Sequence, residues 1–208
     1  MNTTEVVIEK PIESFSELFD LARKQFLEYE KIEGIADWDS YDFSIDCGED
    51  QLKFKDMMQI RFIEELTEAT ADMENEDHFW EEISDALNFF LSGYIMLGKD
   101  LNKLPNPEIY LWPRADCKGE LPNSASQACL DFYPVVHSVG YLCNLLKNRP
   151  WSQSNYLVDL LQFEERLETL WKVFWKFLGQ KLFLGRDKIF DMFLRKVKVN
   201  QYRIETGY

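Results

Sequence analysis

At 208 residues the chain can form one sizeable domain with a real core, or two small ones. Apolar residues are 46% and aromatics 15%, which excludes a disordered chain. The net charge of -14 excludes a general nucleic-acid binder, which carries a basic footprint, but not a small anionic ligand.

Four scattered cysteines, none in C-x-x-C spacing, and two histidines argue against a zinc site. They read as idle thiols in a reducing compartment. The N-terminus lacks a basic region followed by an apolar run, and no apolar stretch reaches the roughly 18 residues of a membrane span. The expectation is a soluble, cytoplasmic protein with no membrane association.

Residues 1–12 read as a short leader. Ser14-x-x-Glu17 is a capping-box pattern, and Phe15, Leu18, Phe19, Ala22, Phe26 and Leu27 recur at helical spacing, which predicts a helix over 15–33 ended by Gly34. Residues 34–50 are aromatic and acidic without a clear period. They read as a loop packed on the domain through Trp38 and Tyr41. Helices are expected over 51–74 and 78–99, joined by the short polar Glu74-Asn75-Glu76-Asp77, which makes them antiparallel neighbours.

Five prolines and glycines make residues 100–124 irregular (Pro105, Pro107, Pro113, Gly119, Pro122). Helices follow at about 125–147 and 154–178, broken at Asn148-Arg149-Pro150, then a turn at 181–185 and a last helix over 187–203. Almost nothing alternates with period two, so the fold class is all-α: a single helical bundle with a central acidic hairpin. The stripe Trp171, Phe174, Trp175, Phe177, Leu178 reads as core or dimer interface. His78 and His137 read as structural or loop residues.

Within the hairpin stand Glu65-x-x-Glu68 and Glu82-x-x-Asp85. At i, i+3 spacing each pair places two carboxylates on one helix face. Ten acidic residues and no Lys or Arg lie between Phe62 and Gly98. Either these are ordinary solvated faces, as Glu165-x-x-Glu168 is taken to be, or a cation sits among them. Hard oxygen donors beside a phosphate suit Mg2+.

The C-terminus reverses the charge: from Gly185 to Tyr208 there are six basic residues against three acidic ones. Lys196, Asn200 and Arg203 follow i, i+4, i+7 spacing and share one stripe. That stripe is either a solvated basic helix end or a polyphosphate grip made of a point charge, a neutral amide and a planar fork.

Together the two patterns resemble a family. The acidic pairs are similar to those of the all-α nucleoside triphosphate pyrophosphohydrolases. Phe193-x-x-Lys196-Val197-x-x-Asn200-x-x-Arg203-Ile204-x-x-Gly207-Tyr208 resembles the dimeric dUTPase motif Y-x-x-K-N-x-x-N-x-x-R-Q-x-x-G-Y, and Glu82 to Phe89 resembles E-x-x-D-x-x-H-F. The support covers residues 61–98 and 186–208. Val197, Ile204, Phe193 and Asn88 depart from the pattern, and the family's N-terminal Gln, Asn and Trp are matched only loosely by Gln25 and Trp38.

The resemblance implies a homodimeric, Mg2+-dependent enzyme that converts dUTP to dUMP and pyrophosphate, with dCTP as the alternative substrate found among short phage-type members. A phage-encoded member would work in the host cytoplasm. Glu65 would be the general base. Glu65, Glu68, Glu82 and Asp85 would hold metal, and Lys196, Asn200 and Arg203 would hold phosphate. Asn88, Gln25, Trp38 and Tyr208 would contact base or sugar, and residues 101–180 could include a mobile cover. Readings of another class are an inactive nucleotide-binding protein and a structural helical protein.

Overall fold

The computed structural model describes residues 11–35, 37–71, 73–113, 118–146 and 158–207. Helix α1 spans Phe15–Ile32. The Ser14 side chain accepts from the Glu17 amide at its start, and its buried face is the expected one: Phe15, Leu18, Phe19, Ala22 and Phe26. Gly34 closes the turn at φ +99°, a conformation that favours glycine. Trp38 opens a single 3-10 turn and is buried among Phe26, Tyr41 and Phe43.

The second expected helix begins earlier and ends earlier than its periodicity predicts. It is α2 (Gly48–Lys55), a π-helical stretch over Asp56–Arg61 and α3 (Phe62–Ala71), running without a break. The wider turn feeds the strand of chain that carries Glu65, and such insertions are frequent beside functional sites. It also packs closely: Met58 is fully buried against α4 at Gly93, where a Cβ would lie 2.3 Å from the Met58 sulfur.

Helix α4 (Glu76–Met96) starts two residues before the expected position, because the Asn75 side chain caps the His78 amide. It is the axis of the bundle. It lies mainly against α3, and also against α1, the π stretch and α7 (Arg186–Thr206). Enclosure on several sides explains why its buried residues run almost all the way round instead of along one stripe.

Helices α5 (Ala125–Leu145) and α6 (Leu160–Lys176) form a second antiparallel pair. Trp171 and Trp175 of α6 are fully buried. They meet Phe15, Phe19, Phe90 and Tyr94, so the aromatic stripe is core. The described part of this half of the chain therefore packs into the bundle. The irregular segment before α5 is tied down as well. The Trp171 indole donates to the Pro105 carbonyl (2.8 Å), the Trp112 amide to Leu184 (3.1 Å) and the Glu120 amide to Leu182 (2.9 Å).

A π stretch at Phe177–Lys181 ends α6, and Gly207 caps α7 in the left-handed region. Among the described residues there is no strand, only the isolated bridge Lys118↔Leu184. Among the described residues no helix is long and apolar enough to cross a membrane. The leader up to residue 10, the expected helical start at 154–157, Cys117 and Tyr208 lie outside the described residues.

Candidate metal and phosphate site

Three helices converge on one cleft. The antiparallel packing of α3 on α4 brings Glu65, Glu82 and Asp85 together, with one carboxylate oxygen of each within 4.8 Å of the others. Glu68 stands apart. It is exposed one turn further along α3, where its charge still acts on Glu65 without joining the cluster. The difference is one of helix phase. Residues three apart are 60° from superposition on a helix, so when Glu65 points into the α3–α4 seam Glu68 points past its edge.

The cluster perturbs its own acidity. Burial pushes Glu65 up to about 9, helped by a hydrogen bond with Glu82 and by the charges of Asp85, Glu82 and Glu68. Burial also pushes Asp85 up to about 6, against the lowering pull of Lys196. Glu82 is buried and bonded from outside by His78 Nδ1 at 3.0 Å, one helical turn before it. His78 is thus more than a loop residue: its i, i+4 spacing to Glu82 is the signal that marks it. Three close hard-oxygen donors could hold a small divalent cation once Glu65, whose proton burial favours first and its acidic neighbours second, gives that proton up.

The basic stripe of α7 faces this cluster. Lys196 Nζ lies 2.5 Å from Asp85 Oδ2 and 3.7 Å from Glu81 Oε1, with the ammonium nearly enclosed. Asn200 is buried one turn on, and Arg203 is exposed at the rim. Ser84 holds the two helices in register by donating to the Met192 carbonyl at 3.2 Å. Glu65, Asp85, Asn88, Lys196, Asn200 and Arg203 all line one cleft of about 250 Å³. Among the described residues, none of those lining the cleft comes from 101–180.

Along α4 the same face continues from Asp85 to Asn88 and then Ser92, both buried, while α1 contributes Phe26, Tyr29 and Glu30. Sequence reasoning missed Tyr29, Glu30, Ser92 and Arg61. The i+4 steps from Gln25 to Tyr29 and from Asn88 to Ser92 could have found two of them. Arg61 is tied to Glu33 and Asp56, each at 2.9 Å. Asn88 Oδ1 is buried without a hydrogen-bond partner, and so are both amide atoms of Gln25. Buried polar atoms are seldom left so, and a ligand donor would complete Asn88 where it faces the cleft.

Two assignments differ from the structure. Trp38 does not line the cleft. It lies behind Phe26, edge to face at 4.9 Å. Gln25 is buried on α1 and is not a lining residue. Val197, which stands where the resembled motif has an amide, is buried in the core and cannot read a base edge.

Comparison with protein-family models, with curated proteins and with solved structures gives no match for this chain.

Proposed function

We propose that the protein is a Mg2+-dependent deoxypyrimidine triphosphate pyrophosphatase that hydrolyses dUTP to dUMP and pyrophosphate. One observation carries the reading. Residues over 100 positions apart, Glu65 and Asp85 on one side and Lys196, Asn200 and Arg203 on the other, line a single cleft. Such an enzyme would draw on free nucleotides in the cytoplasm.

Glu65, Glu82 and Asp85 would hold Mg2+, which would supply positive charge to neutralise the leaving group as it departs. Glu65 takes a proton from the attacking water as the new phosphorus–oxygen bond forms. The anhydride bond breaks, and the departing phosphate takes the electron pair. Lys196, Asn200 and Arg203 hold phosphate oxygens and fix the reacting phosphorus, which is where most of the rate gain of phosphoryl chemistry arises. Lys196, already bonded to Asp85, stands at the seam between the carboxylates and the phosphate stripe.

A second reading, dCTP as substrate, is favoured by an acceptor beyond Asp85. The buried Asn88 oxygen, left without a partner, suits an exocyclic amino group better than a carbonyl. The test is turnover of dUTP, dCTP and the other common deoxynucleoside triphosphates with Mg2+, following monophosphate and pyrophosphate. dUTP as the best substrate sustains the first reading and dCTP the second. No hydrolysis of any of them ends both.

A further inference from the structure

Helix α5 presents a face to solvent that nothing in the fold requires. Leu130 (69% exposed), Tyr133 (64%), Val136 (39%) and Tyr141 (41%) stand on it, with His137 and Gly140 exposed between them. Ser126, Leu130, Tyr133, His137, Gly140 and Asn144 are all exposed and follow 4-3-4-3-4 spacing, the spacing of a seam between two packed helices. Tyr133, His137 and Tyr141 form a row of rings along it, and the Arg166 guanidinium lies 4.1 Å from the centre of the Tyr141 ring.

Two further observations say what sits there. The first is Gly140. Its φ is not in the left-handed region, and a Cβ added to it would meet no atom within 4 Å. A mid-helix glycine weakens a helix, and among the described residues neither backbone strain nor packing calls for one here. It leaves a notch on the outer surface, of the kind that lets a large ring or a second backbone approach. The second is charge. In a chain of net charge -14, Asp131 is the one residue with a formal charge in all of α5, and it is buried and paired with Lys181 at 2.9 Å. Along α5 itself two copies of so acidic a protein can meet without opposing carboxylates.

We infer that α5 is the contact surface for a second copy of this chain, paired antiparallel across a twofold axis near His137. The spacing is self-complementary. Tyr133 and Tyr141 lie four residues either side of His137, so the twofold sets Tyr133 of each copy against Tyr141 and the Gly140 notch of the other. Each contact is thus made twice, as an isologous interface demands. The resemblance named above carries the expectation of a dimer but no surface for it. The surface rests on α5 alone, independent of any enzymatic activity.

Sedimentation equilibrium of the full chain at about 10 µM is expected to give twice the 24.7 kDa chain mass. Tyr133→Glu and Gly140→Leu, one adding charge to the seam and the other filling the notch, should each weaken dimerisation at least about tenfold. Helicity by circular dichroism should be unchanged, because both positions face solvent. Leu161→Glu, an exposed apolar residue at the start of α6, should leave the dimer intact.

A second measurement fixes the geometry. In a Cys129→Ser background, His137→Cys should form a covalent dimer on mild oxidation and Ser126→Cys should not. Position 126 is about 16 Å along the helix from the axis, far beyond disulfide reach of its own mate. A monomer at this concentration overturns the inference. So does a dimer indifferent to Tyr133→Glu, or cross-linking at 126 as ready as at 137.

Discussion

Glu65 carries the strongest electrostatic consequence in the chain. With its folded pKa near 9 against an ordinary value of 4.5, the folded protein holds a proton that the unfolded chain releases between those values. The folded state binds more protons across that window. Its stabilising contribution is therefore full below about pH 4.5 and is lost as pH rises towards 9. Metal-free protein should lose melting temperature steadily from pH 5 to pH 9. Glu65→Gln keeps the shape and removes the titration, so at pH 8 it should be more stable than the natural sequence by about 1–2 kcal/mol, discounted for partial exposure. The two melting curves should converge near pH 4.5. If the difference does not change with pH, Glu65 is not the protonated member of the cluster. The same substitution should lower turnover at least about 10³-fold.

Mg2+ binding must expel that proton, because the ion competes for the same oxygens. Titration calorimetry at pH 7.5 in buffers of different ionisation enthalpy should therefore show about one proton released per ion in the natural sequence, and close to none in Glu65→Gln. A heat independent of buffer would mean that the ion binds elsewhere.

At the scale of elements, the glycine at the end of α6 makes a sharper test than any surface residue. A Cβ at Gly179 would stand 2.2 Å from the Tyr110 carbonyl oxygen and 2.6 Å from the Leu111 Cα, both backbone atoms that cannot swing aside. Gly179→Ala should cost about 3 kcal/mol and lower the melting temperature by about 6–12 °C, by scanning calorimetry. A drop under 1 °C would mean that the 107–111 segment does not press on the π stretch. The sequence could not reveal this contact, because it joins residues nearly 70 positions apart through backbone atoms alone. What it did reveal was periodicity. The helices around Phe15–Phe26, Ile83–Tyr94 and Trp171–Phe174 follow from apolar spacing, whereas side-chain caps decide their starts: Asn75 begins α4 two residues early, and Asp159 begins α6 at Leu160, later than the expected 154. The π stretches were hidden, since a one-residue widening does not change which residues are apolar. Glu68 lies outside the carboxylate cluster and Trp38 outside the cleft lining for a related reason. Motif spacing says which residues share a helix or loop, whereas rotation of α3 and the packing of Phe26 decide which of them reach the cleft.

The whole molecule sets two effects against each other. Its net charge of -14 repels itself at long range, a repulsion that any salt screens. The Glu65–Glu82–Asp85 cluster repels itself at short range, inside a partly buried seam where mobile ions enter poorly. Screening by NaCl should therefore raise the melting temperature only until the long-range term is spent, over about 0.2–0.3 M. Mg2+ at a few millimolar, compared with NaCl at the same ionic strength, isolates the short-range term. It should add a further rise that grows with the logarithm of Mg2+ concentration, as binding to the folded state requires. The extra rise should shrink in Glu82→Gln, and it should be unaffected in Glu165→Gln, an exposed glutamate on α6 far from the cleft. Equal effects of matched NaCl and MgCl2 on the natural sequence would reduce the cluster to ordinary surface charge and remove the basis for a metal site. A Mg2+-specific rise that survives Glu82→Gln would leave a metal site in the molecule but move it away from this cleft.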